Sequence, residues 1–162
     1  MRTIETTIYK FDELSIEAKE TAKRKWYDAE EYDNLSEDLT ESAKCLLEMA
    51  GIEHTGLKLY YSLSYSQGDG LCMIGNLVKG GNSLKLTHSS RYYYAKSVSM
   101  EFIDETGEEV DEIEELKSVY FKICAKLEKE GYGILEYRMT DAEFSELCES
   151  NNYEFTEDGK LI

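Results

Sequence analysis

Residues 57–77 read LKLYYSLSYSQGDGLCMIGNL, and the fold turns on how that stretch is interpreted. Leu57, Leu59, Tyr61, Leu63 and Tyr65 alternate with Lys58, Tyr60, Ser62, Ser64 and Ser66, the period of two that buries one face of a strand. The polar run Ser66-Gln67-Gly68-Asp69-Gly70 follows, and Leu71, Met73 and Leu77 resume an apolar pattern that Gly75 interrupts. Two strand-like runs around a Gly/Asp-rich turn predict a β-hairpin. The expectation is that this hairpin forms the middle of the sheet.

Downstream, Gly80-Gly81-Asn82 marks a turn, and Leu84, Leu86 and His88 alternate with Lys85 and Thr87. From Arg91 to Phe102, Tyr92, Tyr94, Val98, Met100 and Phe102 alternate with Tyr93, Ala95, Ser97 and Ser99, which predicts another strand. The short connections suit an antiparallel meander. Upstream, the β-branched and aromatic run Thr3 to Phe11 predicts a first strand.

Helical signals flank this region. Ser15 is an N-cap candidate for a helix to about Tyr27, with Leu14, Ala18, Ala22 and Trp26 on its core face. An acidic linker spans 28–33, and Ser36 is the expected cap of a second helix carrying Leu39, Ala43, Leu46, Leu47 and Ala50, stopped by Gly51. Glu105 to Glu108 is a turn. A long third helix starts near Asp111 with Ile113, Leu116, Tyr120, Ile123 and Leu127 as its stripe, breaks at Gly131 and Gly133, and resumes through Arg138. Thr140 opens a capping box for a last short helix, and 151–162 reads as a small terminal hairpin. The expected fold is a single α+β domain over 1–162. It has an antiparallel sheet of four to five strands, with three to four helices packed mainly on one face.

Composition narrows the classes. The chain has 162 residues, 41% hydrophobic, long enough for a sizeable core. No apolar run spans a bilayer and the first residues carry no apolar leader, so a cytoplasmic location is expected. Cys45, Cys72, Cys124 and Cys148 are widely spaced, and His54 and His88 have no ligand motif near them. Buried reduced thiols are therefore expected, with no metal and no cofactor. Acids outnumber bases 34 to 18 for a net charge of −16; residues 54–100 carry net +4 and the remainder net −20. Such a charge opposes direct nucleic-acid binding and attracts a basic partner.

Two constellations carry candidate chemistry. Gly68 and Gly70 flank Asp69 in a turn that suits hairpin geometry or anion binding. With Gln67, His88 and Arg91, Asp69 forms a candidate site for a nucleotide- or nucleic-acid-acting enzyme, although no nucleophile elbow or P-loop spacing supports it. The Tyr/Lys/Arg face of the sheet would suit base stacking, but tyrosines are ordinary strand residues. The stronger signal is acidic. Residues 101–115 hold nine carboxylates and no base. Glu101, Asp104, Glu105, Glu108, Glu109, Asp111, Glu112 and Glu115 are candidate partner contacts there, with Asp141, Glu143 and Glu146 in support. Acids at a helix start answer the dipole, yet rows of carboxylates also imitate the phosphates of nucleic acid.

Phe11-Asp12-Glu13-Leu14-Ser15 with Glu17-Ala18-Lys19, then Ser66-Gln67-Gly68-Asp69-Gly70, then Tyr153-Glu154-Phe155-Thr156-Glu157-Asp158-Gly159, resemble a family of small phage and prophage proteins, some labelled antitoxin-like. The resemblance implies a mobile-element origin and assigns no catalytic residue. By analogy of class it implies a protein that binds a host protein, as anti-CRISPR inhibitors do. The leading expectation is an acidic inhibitor occupying the basic groove of a host defence nuclease. Neutralisation of a basic toxin is the alternative.

Overall fold

The computed structural model describes residues 1–29 and 33–162; the linker expected at 28–33 falls partly on residues 30–32, outside them. In chain order the described elements are α1 (Ile16–Ala29), α2 (Asp33–Met49), β1 (Glu53–Ser62), β2 (Gly70–Lys79), β3 (Asn82–His88), β4 (Val98–Ile103), β5 (Glu109–Val110), α3 (Glu114–Arg138) and α4 (Asp141–Ser150). The fold is α+β, and the chain divides into two compact units, residues 34–133 and residues 1–33 with 134–162.

In the 34–133 unit the sheet runs β1-β2-β3-β4-β5, each strand antiparallel to the next. Every link between strands is shorter than the dozen or so residues a crossover needs, so chain order is kept. The 57–77 hairpin is therefore at the side of the sheet, with β1 at the edge and β3 central, rather than in the middle. Alternation holds through β3: Leu84 and Leu86 are buried, Lys85 and Thr87 exposed. Leu84 lies opposite Leu77 on one side and Phe102 on the other, a buried row across three strands. Each such side chain contributes about 1.5–3 kcal/mol on leaving water. The interruption at Gly75 is a bulge against Thr55–Lys58. Gly75 has φ +127°, and a Cβ there would lie 2.8 Å from Thr55 O, so only glycine fits.

The helical part of this unit's core comes from Leu39, Ala43 and Leu47 of α2 and Leu116, Tyr120, Ile123 and Leu127 of α3. Tyr120 donates its hydroxyl to Ala95 O at 2.9 Å. Burial raises the Cys72 thiol to about 11 and the Cys124 thiol to about 12, so both stay protonated and inert. Cys148 is also buried, whereas Cys45 is exposed, against the expectation of four buried thiols.

Four further expectations for this unit need correction. The strand predicted through Tyr65 ends at Ser62, since Tyr65 turns to φ +56°. The strand predicted from Arg91 begins only at Val98; the preceding segment turns so that His88 Nε2 meets Tyr92 O at 2.9 Å. Ser36 lies within α2 rather than capping it, and its carbonyl accepts from Thr40 Oγ1 at 2.7 Å. No break occurs at Gly131 and Gly133, because α3 is continuous. Gly131 instead makes room: a Cβ would meet Leu63 Cδ1 at 2.5 Å.

The other unit is built on aromatic packing. Phe11, Leu14, Ala18, Ala22, Phe144, Cys148 and Phe155 form its core, with Trp26 packed against it as the helical spacing predicts. The Phe11 and Phe144 rings meet edge-on at 4.8 Å, a favoured aromatic geometry. Ser15 Oγ accepts from the Ala18 N–H at 3.2 Å, and Thr140 caps α4 through the Glu143 N–H at 3.4 Å. Residues 3–11 form no strand; Tyr9 alone pairs, with Phe155, and Phe11–Glu13 is a single 3-10 turn. Phe155 also forms an isolated antiparallel bridge with Leu161.

Candidate functional site

The acidic stretch 101–115 begins on β4 and ends in the first turn of α3. Asp104 organises its centre. Its carboxylate accepts from the Thr106 N–H at 2.9 Å, the Thr106 hydroxyl at 2.6 Å and the Glu108 N–H at 3.1 Å. Backbone bonds from Asp104 N to Glu108 O and from Gly107 N to Asp104 O close the turn. The Thr106 hydroxyl, followed by the Glu108 N–H, holds the Asp104 carboxyl below its ordinary range, because every donor favours the charged form.

The other acids divide by what they touch. Glu115 pairs with Lys79 at 2.6 Å and Glu112 pairs with Lys117. Glu101 stands opposite Lys85 in the β3–β4 register. Glu105, Glu108, Glu109 and Asp111 are exposed and, like Glu101 and Glu114, have no cation within ion-pair distance among the described residues. Four carboxylates thus stand unneutralised around a turn whose backbone Asp104 has fixed. The supporting acids belong to the other unit. Asp141 pairs with the nearly buried Lys23 at 2.7 Å, where Glu20 also pairs at 2.5 Å. Glu143 bonds the Tyr137 hydroxyl and raises its pKa, and Glu146 is exposed. Asp141 is therefore committed to holding α1 and α4 together.

Asp69 sits in a different environment. Its carboxylate accepts from the Tyr132 hydroxyl, the Ser64 N–H at 2.8 Å, the Ser64 hydroxyl at 3.0 Å and the Ser66 hydroxyl at 3.1 Å. Tyr132 is the largest cause of an Asp69 pKa far below the ordinary carboxylate range, and the same bond pushes Tyr132 up to about 12. A carboxylate so fully engaged is a poor base. Asp69 fixes the 62–70 loop, and the Tyr65 ring lies 4.7 Å from the Tyr132 ring.

Asp69, His88 and Arg91 do not meet: among the described residues, no hydrogen bond or ion pair joins any two of them. The His88 ring lies against Tyr60 at 5.2 Å and Tyr93 at 5.4 Å. The Arg91 guanidinium stands 5.9 Å from the Tyr92 ring centre, and Tyr92 stacks on Tyr94 at 5.4 Å. Gln67 is exposed on the turn. A groove of about 340 Å³ runs beside Asp69, lined by Tyr94, Lys96, Phe121 and Glu128 among others, and neither His88 nor Arg91 lines it. Sequence reasoning missed Tyr132. Its only local signal is the pair of glycines around it, which read as a helix break.

Among the described residues no group of three or more His, Cys, Asp or Glu side chains is arranged to hold a metal ion, and no described helix is long and apolar enough to cross a membrane. Comparison with family models, with characterised proteins and with solved structures gives no match.

Proposed function

We propose that this chain is an acidic binding protein that occupies the basic, nucleic-acid-binding groove of a partner, with a host defence nuclease as the partner class and a phage-encoded, anti-CRISPR-like inhibitor as the biological setting. The observation that carries the reading is the set Glu105, Glu108, Glu109 and Asp111, exposed and unneutralised around a turn locked by Asp104. Duplex DNA offers one negative charge per roughly 1.7 Å of axis. Closely spaced carboxylates on a fixed backbone imitate that density, and the fixed turn reduces the ordering cost of binding. The mobile-element setting draws its support from the resemblance of the 11–19, 66–70 and 153–159 segments.

The experiment is affinity capture from a bacterial lysate with the purified chain as bait, followed by elution with rising salt and, separately, with duplex DNA. The reading expects basic nucleic-acid-binding proteins to be retained, to elute as salt screens the contact, and to be displaced by DNA. Capture of a small basic toxin would move the function to neutralisation through the same surface. Retention that ignores both salt and DNA would contradict the phosphate-mimic reading.

A further inference from the structure

Residues 3–9 have strand composition without a ladder. Thr3, Ile4, Thr6, Thr7, Ile8 and Tyr9 are β-branched or aromatic, yet of residues 1–8 none bonds another backbone among the described residues. Ile4 is 79% exposed and Ile8 48%. The converse holds at β1. It is ten residues long and ends the sheet, with β2 on one side and no described strand on the other. No backbone hydrogen bond outside the β1–β2 ladder reaches it among the described residues. An open edge of this kind is a template for a further strand.

The two edges of the sheet differ. β5 is two residues long and has Glu105, Glu108 and Glu109 around it, and charge of one sign discourages strand addition there. Leu57 sits in the bulge between Thr55 and Lys58, and regular pairing resumes through Lys58, Leu59 and Tyr60, so that Lys58 is the one charge over Leu57–Tyr60. The patterns of the unpaired segment and of the open edge match. An antiparallel register that sets Glu5 beside Lys58 also sets Ile4 beside Leu59 and Thr6 beside Leu57, because both segments alternate with period two. Opposite charges and apolar pairs then coincide on their respective faces.

We propose that residues 3–8 of one copy add as an antiparallel strand to the outer edge of β1, at Leu57–Tyr60, in a second copy, so that the chain self-associates. Each copy has one donor segment and one acceptor edge, so every contact joins the donor of one copy to the edge of another. Ladder hydrogen bonds supply the affinity and the Ile4–Leu59 and Glu5–Lys58 pairs supply the register. The inference is independent of the acidic surface, and its test does not involve a partner.

The test is light scattering or sedimentation of the full chain over a wide concentration range, beside a chain lacking residues 1–8 and a Thr6→Pro variant, all checked for fold by circular dichroism. The parent associates as concentration rises; the truncated chain stays monomeric. Thr6→Pro, which loses a ladder N–H, shifts the midpoint of association about tenfold upward. In a Cys45→Ser background, Thr6→Cys with Leu57→Cys gives a disulfide-linked species of two chains under mild oxidation. A parent that is monomeric throughout, association that survives the truncation, or a disulfide formed only within one chain overturns the proposal.

Discussion

In the loop after β1, Asp69 accepts from the Tyr132, Ser64 and Ser66 hydroxyls and from a backbone N–H. In the turn after β4, Asp104 accepts from Thr106 and from two backbone N–H groups. Both are aspartates that fix a loop with their own charge, and both have depressed pKa values for that reason. The difference lies in what surrounds them. Serines and tyrosines enclose Asp69, so its charge is spent inside the loop. Glutamates surround Asp104, so fixing that turn presents further charge to solvent. The more conspicuous motif thus spends its charge within its own loop, and the plainer acidic run presents charge to solvent.

The largest expected effect that sharpens this contrast is Gly70→Val. A Cβ at Gly70 lies 3.0 Å from Tyr93 O and from Tyr94 Cδ1, so the variant is expected to lose about 1–3 kcal/mol through overpacking. Gly107→Ala, with φ +86° but open space around it, is expected to lose about 1–2 kcal/mol. Chemical denaturation measures both. A harmless Gly70→Val would break the claim that the 62–70 loop is packed in place. Asp69→Ala is expected to lower the melting temperature by several degrees and Tyr132→Phe by less, with partner capture unchanged in both. Lost capture at an unchanged melting temperature would make Asp69 a functional group after all.

The same bond has a pH signature. Asp69 has a folded pKa below its ordinary value of 3.8, so its stabilisation is complete above that value and is lost as pH falls toward the folded pKa. Tyr132 is raised from 10.0 to about 12, so its contribution is complete below 10.0 and is lost as pH rises through about 12. Melting curves of the parent and of Tyr132→Phe should therefore converge as the solution becomes strongly alkaline. A constant gap would mean the bond does not form. The smallest effect is expected from Glu112→Gln, which breaks an exposed pair with Lys117. Its melting temperature should match the parent's within error, because exposed pairs add little.

Local signals were legible in the sequence. Leu84 and Leu86 alternate as a strand with one buried face should, the Ser15 and Thr140 caps start their helices, and Trp26 lies where the α1 spacing puts it. Strand composition without a partner was misleading. Residues 3–9 and 91–97 have the β-branched or aromatic residues of strands, but a strand exists only where another backbone completes its ladder. Gly131 read as a break because sequence spacing does not show Leu63 arriving at that point of the helix. The acids were legible as a run, but which of them are neutralised was not. Lys79 pairs with Glu115 across 36 residues, and Tyr132 reaches Asp69 across 63. No local pattern encodes such distances.

The most direct measurement compares three baits in one capture experiment: the parent chain, a Glu105→Lys, Glu108→Lys, Glu109→Lys variant, and Asp69→Ala. The triple variant leaves Asp104 and both ion pairs intact, so its circular dichroism should equal the parent's. The basic partner is expected to bind the parent and Asp69→Ala alike and to bind the charge-reversed chain at least about tenfold more weakly, mainly through slower association. Equal binding by the folded triple variant would contradict that expectation.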